Sequence, residues 1–112
     1  MPQLNEFKSF QSELTTTDEV VYTAPSNRST VILMAQVANI TSSVSEVTFM
    51  VRDNANSVDT ELVKDFAIAP NDASGLLTGK LVVEEGNELI ASSSDNSALK
   101  LTLSLLETLN ES

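Results

Sequence analysis

The clearest pattern in the chain is alternation with a period of two. In Leu99-Lys100-Leu101-Thr102-Leu103-Ser104-Leu105, four leucines fall on one side of an extended chain and Lys100, Thr102 and Ser104 on the other, because successive strand side chains point to opposite faces. A helix would scatter the same leucines around its circumference, so a strand is predicted despite leucine's good helix propensity. Residues 46–52 repeat the pattern with Val47, Phe49 and Val51 inward. Across residues 61–68, Leu62, Phe66 and Ile68 share one face and Lys64 interrupts it. Such an interruption suits an edge strand, where an inward charge discourages further pairing. Residues 30–41 begin apolar on both faces, with Val31, Leu33 and Val37 against Ile32 and Met34. That predicts a strand with one face in the core and the other covered by a neighbour. Shorter strands are expected at residues 19–23, 80–83 and 88–92.

Turn-forming residues separate these segments: Ala24-Pro25-Ser26-Asn27, Thr41-Ser42-Ser43, Asp53-Asn54-Ala55-Asn56-Ser57, Pro70-Asn71-Asp72 and residues 92–97. Glu85-Gly86-Asn87 predicts a tight hairpin joining residues 80–83 to 88–92, with Gly86 free to take positive φ. Seven or eight antiparallel strands at this spacing predict an all-β protein, a single β-sandwich that is jelly-roll-like or Ig-like. Two segments escape the alternation. Residues 72–79 read as a short strand or one helical turn. Residues 1–15 carry Leu4, Phe7, Phe10 and Leu14 at helical spacings of three and four, yet the segment is short for an isolated helix. The expectation is therefore residues 1–15 as an N-terminal arm or extra strand, and 16–112 as the sandwich. A surplus of apolar side chains in a terminal segment needs a surface to cover it. Leu4, Phe7, Phe10 and Leu14 are accordingly the candidate assembly contacts.

Composition narrows the function. At 112 residues the chain suits one domain. With no Cys and no His, disulfides, the usual zinc and copper sites, and nucleophile–histidine catalysis are all closed to it. A net charge of −10 repels phosphate backbones, so nucleic acid is not an expected partner. The longest apolar run, residues 31–35, falls far short of the ~20 residues that span a bilayer. The opening residues lack a basic start and apolar run, so the expectation is a protein made in the cytoplasm with no membrane association.

Paired carboxylates remain the one open route to catalysis. Asp53, Asp59, Glu84, Glu85, Glu88 and Asp95 are the candidates, and most lie in polar turns, as solvated loop carboxylates do. Residues 53–59 have the oxygen-rich character that calcium favours but lack the ligand spacing, central Gly and final Glu of an EF-hand loop. Residues 53–59 and 92–97 also suggest a pair of ligand-reading loops at one end of the sandwich. The chain has no Trp and one Tyr, a poor platform for gripping sugars. Asn39-Ile40-Thr41 and Asn27-Arg28-Ser29 match the glycosylation sequon, which matters only on a secretory route. No catalytic residue, cofactor, metal or small-molecule substrate is expected.

Three stretches together resemble a family of small virion structural proteins from tailed bacteriophages. The first is Val20-Val21-Tyr22-Thr23-Ala24-Pro25-Ser26-Asn27-Arg28-Ser29-Thr30-Val31-Ile32-Leu33. The second is Leu62-Val63-Lys64-Asp65-Phe66-Ala67-Ile68-Ala69-Pro70, and the third Gly79-Lys80-Leu81-Val82-Val83-Glu84-Glu85-Gly86-Asn87-Glu88-Leu89. They recur in the same order over roughly residues 19–106, and Asn87 stands where the family often has Asp. The resemblance implies a non-enzymatic virion component and supplies no catalytic residues. A capsid decoration (cement) protein is the leading expectation, a neck, tail or fibre-associated subunit the second, and a displayed glycan- or receptor-binding module the third. The implied partners are the major capsid protein or another virion protein, together with further copies of the chain.

Overall fold

In the computed structural model, which describes residues 4–110, the alternating segments become strands and no helix forms among the described residues. The strands are β1 (Asn5–Glu13), β2 (Glu19–Thr23), β3 (Arg28–Asn39), β4 (Ser45–Asp53), β5 (Val58–Ile68), β6 (Ala73–Gly75), β7 (Leu81–Val83), β8 (Glu88–Ser93) and β9 (Leu99–Leu109). The described residues hold nine strands where seven or eight were expected. The additions are β1 and β6, which come from the two segments that lack a clean alternation.

Two antiparallel sheets form the all-β sandwich. One runs β1-β9-β3-β6, with β7 also paired to β3, and the other runs β2-β8-β4-β5. β6 lies opposite Gln36–Ala38 and β7 opposite Thr30–Ile32, so the two act as one interrupted strand along the same side of β3. Counted that way, each sheet has four positions, and the chain crosses between sheets at every connection except β4–β5. This is the double-sheet order of a jelly roll, which decides between the two expected sandwich types.

The core lies where the alternation puts it. Leu99, Leu101, Leu103 and Leu105 of β9 are buried against Val47 and Phe49 of β4 and Leu89 of β8. Each fully buried leucine contributes about 1.5–3 kcal/mol relative to exposure. β9 sits between β1 and β3 and presents its inward face to the opposite sheet.

Bulges account for the readings that fail. In β3 the register against β9 shifts between Ile32 and Met34. Ile32 and Val37 therefore both point inward although their parity differs, and Leu33 and Met34 stay exposed at the bulge. In β5 the register against β4 shifts twice, so that Val63 lies opposite Phe49 and Phe66 opposite Val47. Val63, rather than Lys64, joins the inward face, and Lys64 is exposed. A period-two reading carries no information about an inserted residue.

The turn at Gly86 forms, with φ 81° and a hydrogen bond from Asn87 N to Glu84 O of 2.9 Å. It does not make a hairpin. β7 belongs to one sheet and β8 to the other, and Ala24 closes the corner by donating to Asn87 O and accepting from Gly86 N.

Candidate assembly interface

β1 is held to β9 by an unbroken antiparallel register from Asn5↔Thr108 to Glu13↔Lys100. Leu109 N donates to Leu4 O, and Leu14 N donates to Leu99 O. Both are even-numbered β1-side positions, so the even residues turn their backbone groups toward β9, as alternate residues of an antiparallel pair must. The odd residues, Asn5, Phe7, Ser9, Gln11 and Glu13, present their N–H and C=O groups to the open side. β1 is thus a free edge nine residues long with no bulge.

The four assembly candidates occupy different positions. Leu14 is 2% exposed and belongs to the core, so it has no surface to offer a partner. Phe10 lies opposite the buried Leu103 and leans on Tyr22 of the other sheet, with ring centroids 5.5 Å apart. It remains 39% exposed. Leu4, just before β1, is 57% exposed, and Phe7 is 76% exposed on the outer face. The spacing that looked helical is two faces of one strand. Phe10 and Leu14 serve the inside, and Phe7 serves the outside.

Phe7 does not stand alone. It lies opposite Leu106, Leu106 opposite Val31, and Val31 opposite Val82. These make an apolar row across four strands of the outer face, with Phe7 and Val82 exposed at its two ends. The corresponding row on the other sheet, Val20–Ile90–Met50, has Ile90 and Met50 buried.

Beneath the β1 edge is an ionic cluster that sequence reading missed. Glu107 is 1% exposed and accepts a hydrogen bond from the Tyr22 hydroxyl at 2.6 Å. Tyr22 and Thr30 share a second hydrogen bond of 2.7 Å. Lys8 Nζ stands 2.9 Å from Glu107, and Arg28 donates to Glu6 at 3.1 Å. Burial by itself raises the Glu107 carboxyl, but hydrogen bonds from Tyr22 and Lys8 outweigh it and hold the group below its usual range. Burial first, then the bond to Glu107, pushes the Tyr22 phenol up, and the bond to Glu107 likewise raises Lys8. The sequence did carry a signal: Glu107 takes the inward phase of Leu99, Leu101, Leu103 and Leu105, where a fifth leucine was due.

A cleft of about 390 Å³ opens between β1 and β2 over this cluster. Its ionisable lining groups are Lys8, Tyr22 and Glu107, and each is already tied to another. The cleft therefore offers little for proton transfer and reads as the joint between two edge strands.

Of the remaining candidates, Glu84 and Glu85 are exposed at the Gly86 turn, and the others are fastened to neighbours. Asp53 accepts hydrogen bonds from Ala55 N, Asn56 N and Asn56 Nδ2, capping its own turn. Asn56 holds its carboxyl below the usual range, and Arg52 does the same for Asp59. Glu88 also faces Arg52, at 3.9 Å. Asn54 ties this loop to the Gly86 turn through Gly86 O and Asn87 Oδ1. Asp95 lies at the opposite end of the sandwich, accepting from Ser45 and Ser94. The loops at 53–59 and 92–97 therefore do not share an end, and no pair of them frames one cleft. Among the described residues, no three acidic side chains converge to hold a metal ion. Asn39 of the first sequon is buried, donating to Ser43 O and Ile68 O and accepting from Thr41 N. It is a loop fastener with no room for a sugar.

No protein-family model matches the sequence, and no curated protein matches it at a significant level. Solved structures do share the fold. The capsid structure of Helicobacter pylori bacteriophage KHP30 contains a chain that superimposes with a TM-score of 0.58 at 9% identity, over 97% of this chain and 90% of that one. A subunit of the disulfide-linked pili that form Bacillus endospore appendages superimposes equally well, at 0.58 and 7% identity, over 96% and 88%. A pentameric capsid protein from metagenomic phage sequences overlaps at 0.43 and 13% identity, over 90% and 61%, too loosely to support an argument.

Proposed function

We propose that the chain is a non-enzymatic structural subunit of a bacteriophage virion, a capsid decoration (cement) protein that binds the outside of the shell. One observation carries the reading: the most distinctive surface of this jelly roll is an open strand edge beside an exposed apolar row. The unbulged β1 edge adjoins an outer row with Phe7 76% exposed. Most of the groups that might have done chemistry are spent on fastening turns or on one another, and Glu84 and Glu85 are exposed beside a tight turn. Fold alone does not assign function. The likeness to a chain of a phage capsid over nearly its whole length supports the reading beside the surface. The likeness to an appendage pilus subunit favours assembly as well, but a chain without Cys cannot use that protein's disulfide links.

Such a subunit acts by mass action. Contacts that exist only on the assembled shell stabilise that shell against its disassembled state. The acidic surface suits docking on a more basic lattice, with long-range attraction that salt screens. The test is to mix purified protein with particles stripped of it and image them by cryo-electron microscopy. Ordered density over the capsid lattice is expected. Density confined to the portal vertex or tail overturns the decoration role in favour of a neck or tail subunit. No density on any part of the particle overturns the virion reading.

A further inference from the structure

The open side of β1 is unusually well prepared for one occupant. Its free backbone groups belong to Asn5, Phe7, Ser9, Gln11 and Glu13, spaced symmetrically about Ser9. An antiparallel strand of the same sequence centred there sets Asn5 opposite Glu13, Phe7 opposite Gln11, and Ser9 opposite Ser9. Every free N–H and C=O of the edge then meets one of the opposite kind, as strand addition requires. Shifting the centre by one residue, to Lys8, places Lys8 opposite Lys8. Like charges directly opposite are destabilising.

Charge points to the same occupant. A chain of net charge −10 repels its copies, so self-association should use the place where that repulsion is least. In β1 the acidic Glu6 faces both Arg28 and Lys8, and residues 5–11 are otherwise uncharged. With Glu6 opposite Ser12 and Lys8 opposite Phe10, the Ser9-centred pairing sets no like charges opposite each other. The other long edge, β5, carries Asp59, Glu61 and Asp65 against the single Lys64.

We propose that β1 is a self-pairing edge, through which two copies of this chain join antiparallel about a two-fold axis at Ser9 and merge their β1-β9-β3 sheets into one. The interface is isologous, with the same strand contributed by both subunits. Phe7 comes to lie across from Gln11 of the second copy, and the outer apolar rows of the two subunits share one continuous sheet face.

The test is done in solution without particles, so its failure is distinguishable from failure of the virion reading. Sedimentation over a range of concentrations should show a monomer–dimer equilibrium that tightens as salt rises, because screening weakens the repulsion between acidic copies. The chain has no Cys, so Ser9→Cys introduces a single reporter. Mild oxidation should convert it to a covalent dimer, while Thr60→Cys on the exposed part of β5 stays monomeric. Ser9→Pro removes an N–H that points away from β9, which an edge strand tolerates. It should weaken the dimer about tenfold or more with its far-ultraviolet spectrum unchanged. A monomer at every concentration up to about 1 mM would overturn the proposal. So would equal cross-linking at the two positions, or a dimer indifferent to both Ser9 changes.

Discussion

The two long edges of this sandwich are treated in opposite ways. β5 carries two register shifts against β4, and its Asp65 adopts a positive φ of 49°. Lys64 beside it is exposed. Bulge, twist and charge are the devices by which natural sheets prevent edge-to-edge pairing. β1 runs nine residues with no bulge or Pro, and its single Lys8 is drawn to Glu107 and Glu6. Both edges belong to the same small chain, so a device that guards one was available to the other. Its absence leaves β1 open to strand addition, whereas β5 is closed by construction.

The contrast can be broken most severely at β1 itself. Deleting the chain through Glu13 should abolish cooperative urea unfolding. It removes a strand paired along β9, opens Leu101, Leu103 and Leu105 to water, and strips Lys8 from Glu107. A truncated protein that still unfolds cooperatively would show β1 to be an accessory strand. Next in size is Tyr22→Phe, which leaves the buried Glu107 without its hydroxyl donor. Hydrogen bonds to charged groups are worth about 1.5–3 kcal/mol, and a loss of unfolding free energy of that size, read as a lower urea midpoint with the slope unchanged, is the expected result.

At β5 the effects are smaller. Asp65→Val should cost about 1–2 kcal/mol, because a β-branched side chain is poorly tolerated at φ 49°. Asp65→Gly should change stability by less than about 0.5 kcal/mol. Thermal melts of the two variants distinguish backbone strain from loss of the carboxylate.

The smallest effects come from pH. Tyr22 and Lys8 have raised values in the folded state, so their contribution is complete below their ordinary values of 10.0 and 10.5 and declines as pH rises above them. Asp53, Asp59 and Glu107 are lowered. Their contribution is present above the ordinary carboxylate values of 3.8 to 4.5 and is lost as pH falls below them. Melting temperatures should form a plateau bounded on both sides. Tyr22→Phe should flatten the alkaline shoulder.

The strongest alternations transferred directly from sequence to structure. The four leucines of β9, and Val47 and Phe49 of β4, are buried on the face their phase assigns. What failed was everything that depends on an inserted or displaced residue. The bulges at Leu33 and Asp65 reverse the phase within a strand, and no local residue preference announces them. The Gly86 turn was legible as a turn, but whether its arms share a sheet is decided by partners far away in sequence. β1 was legible only as an apolar surplus, because its inward residues Glu6 and Lys8 are charged and hide the alternation. Their partners, Arg28 and Glu107, lie 22 and 99 residues away along the chain (28 − 6 and 107 − 8). Of the assembly candidates, the exposure of Phe7 could be suspected from composition, but the burial of Leu14 required the fold.

The central place of β9 also governs the order in which the molecule can be made. It separates β1 from β3, yet it is synthesised after the eight strands that precede it. Until it leaves the ribosome, β1 has no hydrogen-bonded partner, β3 has only the short β6 and β7, and the β1 edge is one of several left open. Pairing at such sequence separation is slow, on the order of milliseconds to seconds for all-β domains. A nascent chain of this design must remain uncommitted through most of its translation, and crowding on a polysome would favour wrong strand exchange over assembly.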